Sequence, residues 1–83
     1  MGWEVVYMDS FAARLRRRRE QLGLSQAQLA DELGTKQPGV AAWETGVRVP
    51  TTESVRRLAG ILRVSPGWLA FGPAKVEKTG SGK

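Results

Sequence analysis

Neither cysteine nor histidine occurs anywhere in the sequence. Their absence removes disulfide scaffolds, Cys/His zinc sites, thiol nucleophiles and every Ser–His dyad, and with them most of the catalysis open to a small domain. No apolar run approaches the roughly 18 residues of a membrane span. The opening MGWEVVYMD has neither the basic start nor the long apolar stretch of a secretory signal, so the cytoplasm is the expected compartment. Acidic charge is in short supply: 8 Asp and Glu stand against 13 Lys and Arg, giving a net charge of +5 and a sequence pI near 10.5. That balance attracts polyanions, nucleic acid first. At 83 residues there is room for one small domain, and a hydrophobic content of 41% is enough to fold it.

The 10 glycines and 4 prolines punctuate the chain at the spacing of short helices rather than of strands. Between Asp9 and Leu22 the apolar residues Phe11, Leu15 and Leu22, with Ala12 beside them, fall on one helical face, and Gly23 ends that helix. Ser25-Gln26-Ala27-Gln28 has the form of a capping box, with Leu24 placed to pack on Leu29. It predicts a second helix over Gln26 to Leu33, closed by Gly34 and too short to persist unless Leu29, Ala30 and Leu33 are packed. A third helix over Gln37 to Thr45 carries Val40 and Trp43 inward and stops at Gly46. Thr51 caps a fourth, with Glu53 near the positive end of its dipole and Val55, Leu58, Ala59 and Leu62 repeating at helical spacing. Ser65-Pro66 opens a last short helix bearing Trp68, Leu69 and Phe71, stapled by Val64 and ended at Gly72-Pro73.

The expected architecture is therefore all-α. An extended arm covers residues 1–8, a compact domain 9–72, and a disordered tail 73–83, where AKVEKTGSGK is polar and aperiodic. In the arm Trp3, Val5 and Tyr7 alternate with Gly2, Glu4 and Val6, which reads equally as a functional strand-like segment or as an extension upstream of a start at Met8. The terminal GSGK mimics the end of a phosphate-binding loop, but Glu77 stands where that loop needs its first glycine and no Ser or Thr follows Lys83.

Two short helices joined by a tight glycine-containing turn, Ser25 to Leu33 and then Gln37 to Thr45, make the helix-turn-helix pattern that sets its second helix in the DNA major groove. In order and spacing, Gln26, Leu29, Ala30, Gly34, Val40, Trp43, Glu44, Gly46, Pro50, Leu58, Ala59, Leu62, Val64, Trp68 and Leu69 resemble the Cro/cI-type (XRE) family of DNA-binding domains. The resemblance covers residues 10–72, about three quarters of the chain. It implies a compact five-helix, lambdoid-phage-repressor-like fold. It also implies sequence-specific binding of double-stranded DNA by a transcriptional regulator, a repressor of phage or bacterial type, with helix 37–45 in the groove. No enzymatic activity, cofactor, metal, membrane or small-molecule substrate is expected.

Candidate site residues follow. Ser25 and Gln26 open the second helix, whose free N–H groups and positive dipole end suit a phosphate oxygen; the family uses the equivalent Gln this way, while the plain alternative is an exposed helix-start residue. Lys36 and Gln37 are the long polar side chains for base edges, guanine O6/N7 and adenine N6/N7 respectively, and Ala41 and Ala42 can touch only thymine methyls. Pro38 fits best as the first helical residue, which would make Gln37 the N-cap and swing its amide toward the backbone. Gly39 costs this helix about 1 kcal/mol relative to Ala. Arg14, Arg17 and Arg18 are candidates for phosphate contact or for solubility alone. The resemblance implies that Arg19 pairs with Glu44, pinning the first helix to the third, and that Arg48 in the VRVP loop meets phosphate beside main-chain N–H groups. Trp43, Trp68 and Phe11 sit on apolar stripes and read as core.

One module of this size makes few base contacts, so a homodimer on a two-fold symmetric operator is expected, with half-sites about 34–36 Å apart. Its interface is either the last helix with Phe71 or the Trp3-Val5-Tyr7 arm. The rival reading is an antitoxin or adaptor-type protein-interaction module that binds through the Ala/Gly-rich third helix, because residues 38–42 offer so few long side chains.

Overall fold

Four of the five helices among the described residues start on a hydroxyl that accepts a backbone N–H from the first turn, which satisfies one of the donors a helix start leaves open. A computed structural model describes residues 10–73; the arm expected over 1–8 and the tail beyond Pro73 lie outside the described residues. Ser10 caps α1 (Phe11–Gln21), Ser25 caps α2 (Gln26–Leu33), Thr51 caps α4 (Thr52–Leu62) and Ser65 caps α5 (Pro66–Phe71). The box at α2 is complete: Gln28 N donates to Ser25 Oγ at 2.9 Å and Ser25 N to Gln28 Oε1 at 2.8 Å. The exception is α3 (Gln37–Thr45), where Lys36 is the N-cap and makes no side-chain capping bond.

Between α2 and α3, Gly34 takes a φ of 78°, a conformation that favours glycine. That geometry lets the Thr35 N–H reach the Ala30 carbonyl at 2.9 Å, so the chain reverses within three residues. Leu15, Leu29, Ala30, Leu33, Val40, Leu58, Ala59, Leu62 and Leu69 form one buried core drawn from all five helices. Phe11, Trp43 and Trp68 pack against it, as do Leu24, Val55, Ile61 and Val64. Leu22, which closes the apolar stripe read from the sequence, is instead the C-cap of α1 and is 36% exposed. Among the described residues no helix is long and apolar enough to cross a membrane.

Arginines fasten the ends of the helices. The last carbonyls of a helix have no partner within it, and three of these ends are met by a guanidinium from another helix. Arg14 donates to the carbonyls of Leu69 (3.1 Å) and Ala70 (3.0 Å) at the end of α5. Arg18 donates to Leu62 O at 2.8 Å at the end of α4, and Arg57 to Leu33 O at 2.7 Å at the end of α2. Arg14 is only 3% exposed, which corrects its candidacy as a phosphate contact: its charge is turned inward onto α5. No buried side-chain nitrogen or oxygen among the described residues is left without a partner.

Candidate nucleic-acid interface

Packing of Val40, fully buried, and of Trp43 against the core leaves the opposite side of α3 facing outward. Along it lie Gln37, Pro38, Ala41, Ala42 and Thr45; Gln37, Pro38 and Thr45 are exposed and the two alanines half-buried. Lys36, at the N-cap, is also exposed. Pro38 is the second helical residue, not the first. Gln37 is therefore helical and not the N-cap, and its amide does not return to the backbone. The first turn of a helix tolerates proline at either place, since the missing N–H has no partner there anyway. Thr45, which the sequence reading treated only as the end of the helix, belongs to the outward stripe because it follows Gln37 by eight positions and Ala41 by four. Its hydroxyl donates to Ala42 O at 3.2 Å and keeps its acceptor capacity.

Behind this face runs a chain of side-chain hydrogen bonds. Arg19 Nε donates to Glu44 Oε2 at 2.6 Å and Arg19 Nη2 to Glu44 Oε1 at 3.0 Å, a two-point clamp between α1 and α3. Arg19 Nη1 also donates to Leu24 O at 2.7 Å, which ties in the turn before α2. The same Glu44 Oε1 accepts from Gln26 Nε2 at 3.0 Å, and Gln26 Oε1 accepts from Gln37 Nε2 at 2.7 Å. Sequence reasoning raised the pair Arg19 and Glu44 but not its extension through Gln26 to Gln37, because the participants come from three helices. The ion pair is nearly dry, with side-chain exposures of 10% and 3%. Its hydrogen bond to Glu44 holds the Arg19 guanidinium above the ordinary arginine range, against the opposing effect of burial. For a raised value the stabilisation is complete below the unfolded pKa and is lost only as pH climbs through the folded one. Arg19 therefore contributes its full share throughout the neutral range.

Ser25 is exposed at the start of α2; its oxygen already accepts from Gln28 N, leaving the O–H as a donor. Arg48 is exposed in the loop joining α3 to α4, between Val47 and Val49, which are 78% and 85% exposed. The Val47 and Arg48 N–H groups both turn back to Ala42 O, at 3.0 and 3.2 Å. The loop thus offers the side chain of Arg48 outward while these two main-chain donors stay engaged within the protein. Arg17 is exposed and lines a cleft of mixed character with Ala13, Arg16, Glu20, Glu44 and Thr45, beside the end of α3.

With this geometry in view, the relatives fall into place. The family model described as "Helix-turn-helix" matches residues 15–69. The chain belongs to the helix-turn-helix family, XRE type. Within that family it is similar to the HTH-type transcriptional regulator DicA of Escherichia coli K12, 35% identical over 66 residues that cover 80% of this chain and 49% of DicA. This helix-turn-helix chain spans about half the length of the curated relatives it matches. Among solved structures it is similar to the P22 c2 repressor in complex with a synthetic operator, with 30% identity, a TM-score of 0.74, and coverage of 77% of this chain and 97% of that one. It is also similar to part of the hydroxypropylphosphonic acid epoxidase from S. wedmorenis, at 39% identity and a TM-score of 0.66 over 75% of this chain and 33% of the enzyme.

Proposed function

We propose that this domain binds double-stranded DNA in a sequence-specific manner and acts as a transcriptional regulator, repressing the genes it sits on. The observation that carries the reading is the likeness to nearly the whole chain of the P22 c2 repressor structure, a protein seen in complex with a synthetic operator. The exposed stripe of α3 supports it, as do the net charge of +5 and the outward placement of Lys36, Arg48 and Arg17. In this reading α3 enters the major groove, Gln37 reads adenine, Lys36 reads guanine, and Ala41 and Ala42 touch thymine methyls. Ser25, Gln26, Arg48 and Arg17 meet the phosphates that flank the groove.

The protein acts in the cytoplasm as a homodimer on a two-fold symmetric operator. Phe71, 85% exposed at the end of α5, lies with Phe11, Val49, Pro50 and Val55 along one apolar groove that suits a second copy. Removing residues 1–7 and measuring mass by light scattering separates this face from the arm: unchanged dimerisation takes the arm out of the mechanism. The likeness to a third of an epoxidase chain favours one further reading, in which the scaffold serves as an adaptor-type module that binds protein through the small residues of α3.

Titration of random duplex DNA at two salt concentrations distinguishes the two. Phosphate contacts release counterions, so affinity falls steeply as salt rises. A flat dependence would favour the adaptor. Selection of bound duplexes from a random pool then reports the half-site and its symmetry.

A further inference from the structure

The hydrogen-bond chain behind α3 has a direction, and Glu44 sets it. A carboxylate at neutral pH only accepts, so the end of the Gln26 amide that meets Glu44 Oε1 is the NH2 group. The other end of Gln26 is then a carbonyl oxygen, which also only accepts, so Gln37 presents its own NH2 to Gln26. What remains of Gln37 for a ligand is its carbonyl oxygen and the second N–H. Two glutamine amides facing each other without such an anchor bond equally well in either orientation.

We propose that Glu44 is a positioning residue for base readout: through Gln26 it holds the Gln37 amide in one of its two orientations and so selects adenine at one base pair. Adenine shows the major groove an N6 donor and an N7 acceptor, which the oxygen and remaining N–H of Gln37 complement; reversal would set donor against donor. The argument rests on the DNA-binding reading above and adds to it a role for a side chain that is itself withdrawn from the groove, 3% exposed. The anchor is firm because Arg19 grips the same carboxylate at two points and a third bond fixes Arg19 to Leu24 O.

The test uses the duplex selected by the wild type, with the base pair read by Gln37 located as the one whose preference disappears in Gln37→Ala. At that pair the wild type should prefer A·T by about fivefold or more. Glu44→Gln keeps the shape but lets the amide at position 44 donate or accept, so about half of the Gln37 amides are reversed before binding and the preference should fall at least about twofold, while random-duplex affinity and its salt slope persist. Should Glu44→Gln fail to fold by circular dichroism, Gln26→Met decides. It leaves the Arg19–Glu44 ion pair intact but removes the phosphate contact of Gln26 together with its link to Gln37, so its readout is the preference ratio alone, which a lost phosphate contact leaves unchanged. Retention of the full A·T preference in a folded Glu44→Gln, or in Gln26→Met, would overturn the proposal. A wild type that binds no duplex at all would overturn the DNA-binding reading beneath it, an outcome distinct from binding with unchanged preference.

Discussion

Helix α1 carries five arginines and α3 carries none, yet α3 is the helix we propose for the DNA groove. On that proposal most of a basic run in a small domain lies outside its polyanion-binding surface, with Arg17 as the member that reaches it. Arg14, Arg18 and Arg19 spend their charge on the carbonyls of Leu69, Ala70, Leu62 and Leu24 and on Glu44. In a chain with so small a core, these guanidinium groups do part of the work that apolar packing does in larger domains. The outward face of α3 is short and nearly uncharged, and cations reach it from its margins, Lys36 at one end and Arg48 past the other. Stability and binding charge are thus separated in space, and substitutions should separate them in measurement.

The largest effect is expected from Arg19→Ala, which leaves the Glu44 carboxylate buried without its partner. Urea unfolding should show a loss of about 3–5 kcal/mol. A loss under about 1 kcal/mol would mean the clamp between α1 and α3 contributes no more than a surface pair. Next comes Arg14→Ala, which deserts two carbonyls at the end of α5. We expect about 2–3 kcal/mol of destabilisation from the lost charge-assisted bonds, with the salt slope of DNA binding unchanged; a flatter slope would return Arg14 to the phosphate-binding set. Arg48→Ala should behave in the opposite way, with stability within about 0.5 kcal/mol of wild type, affinity lowered for all duplexes alike, and the salt slope reduced by about 1. The smallest change serves as a reference remote from both regions. Gly60 lies inside α4 with open space where a Cβ would go, so Gly60→Ala should gain about 1 kcal/mol and leave DNA affinity as it was.

Much of the fold was legible because its punctuation is local. Ser25 with Gln28, Thr51, Ser65 and the glycines at 34 and 46 announce helix ends within a few residues, and the helices start and stop where those signals stand. What escaped was long-range or turned on a single position. Arg14 meets α5 at a separation of 55 residues and Arg18 meets α4 at 44, distances across which no spacing rule operates. A signal did exist: Arg14 and Arg18 fall three and seven positions after Phe11, on the stripe that also carries Leu15, so their side chains had to point inward. The helix starts at Gln37 as its span in the sequence suggests, whereas Pro38 is its second residue and not the first, because proline fits either of the first two helical positions and local preference does not choose between them. Glu44 and Arg19 could be paired through the family resemblance, whereas the bonds from Glu44 to Gln26 and on to Gln37 appear only once three helices are assembled.

The central claim is that α3, with the start of α2 and the loop bearing Arg48, is the surface that meets DNA. Chemical-shift mapping of the isotopically labelled domain against a duplex tests it most directly. The account predicts that resonances of Ser25, Gln26, Lys36, Gln37, Ala41, Ala42, Thr45 and Arg48 move together and that Arg14 and Arg18 stay still. Resonances of residues 25–48 that remain in place while the groove at Phe71 or another face responds would contradict it.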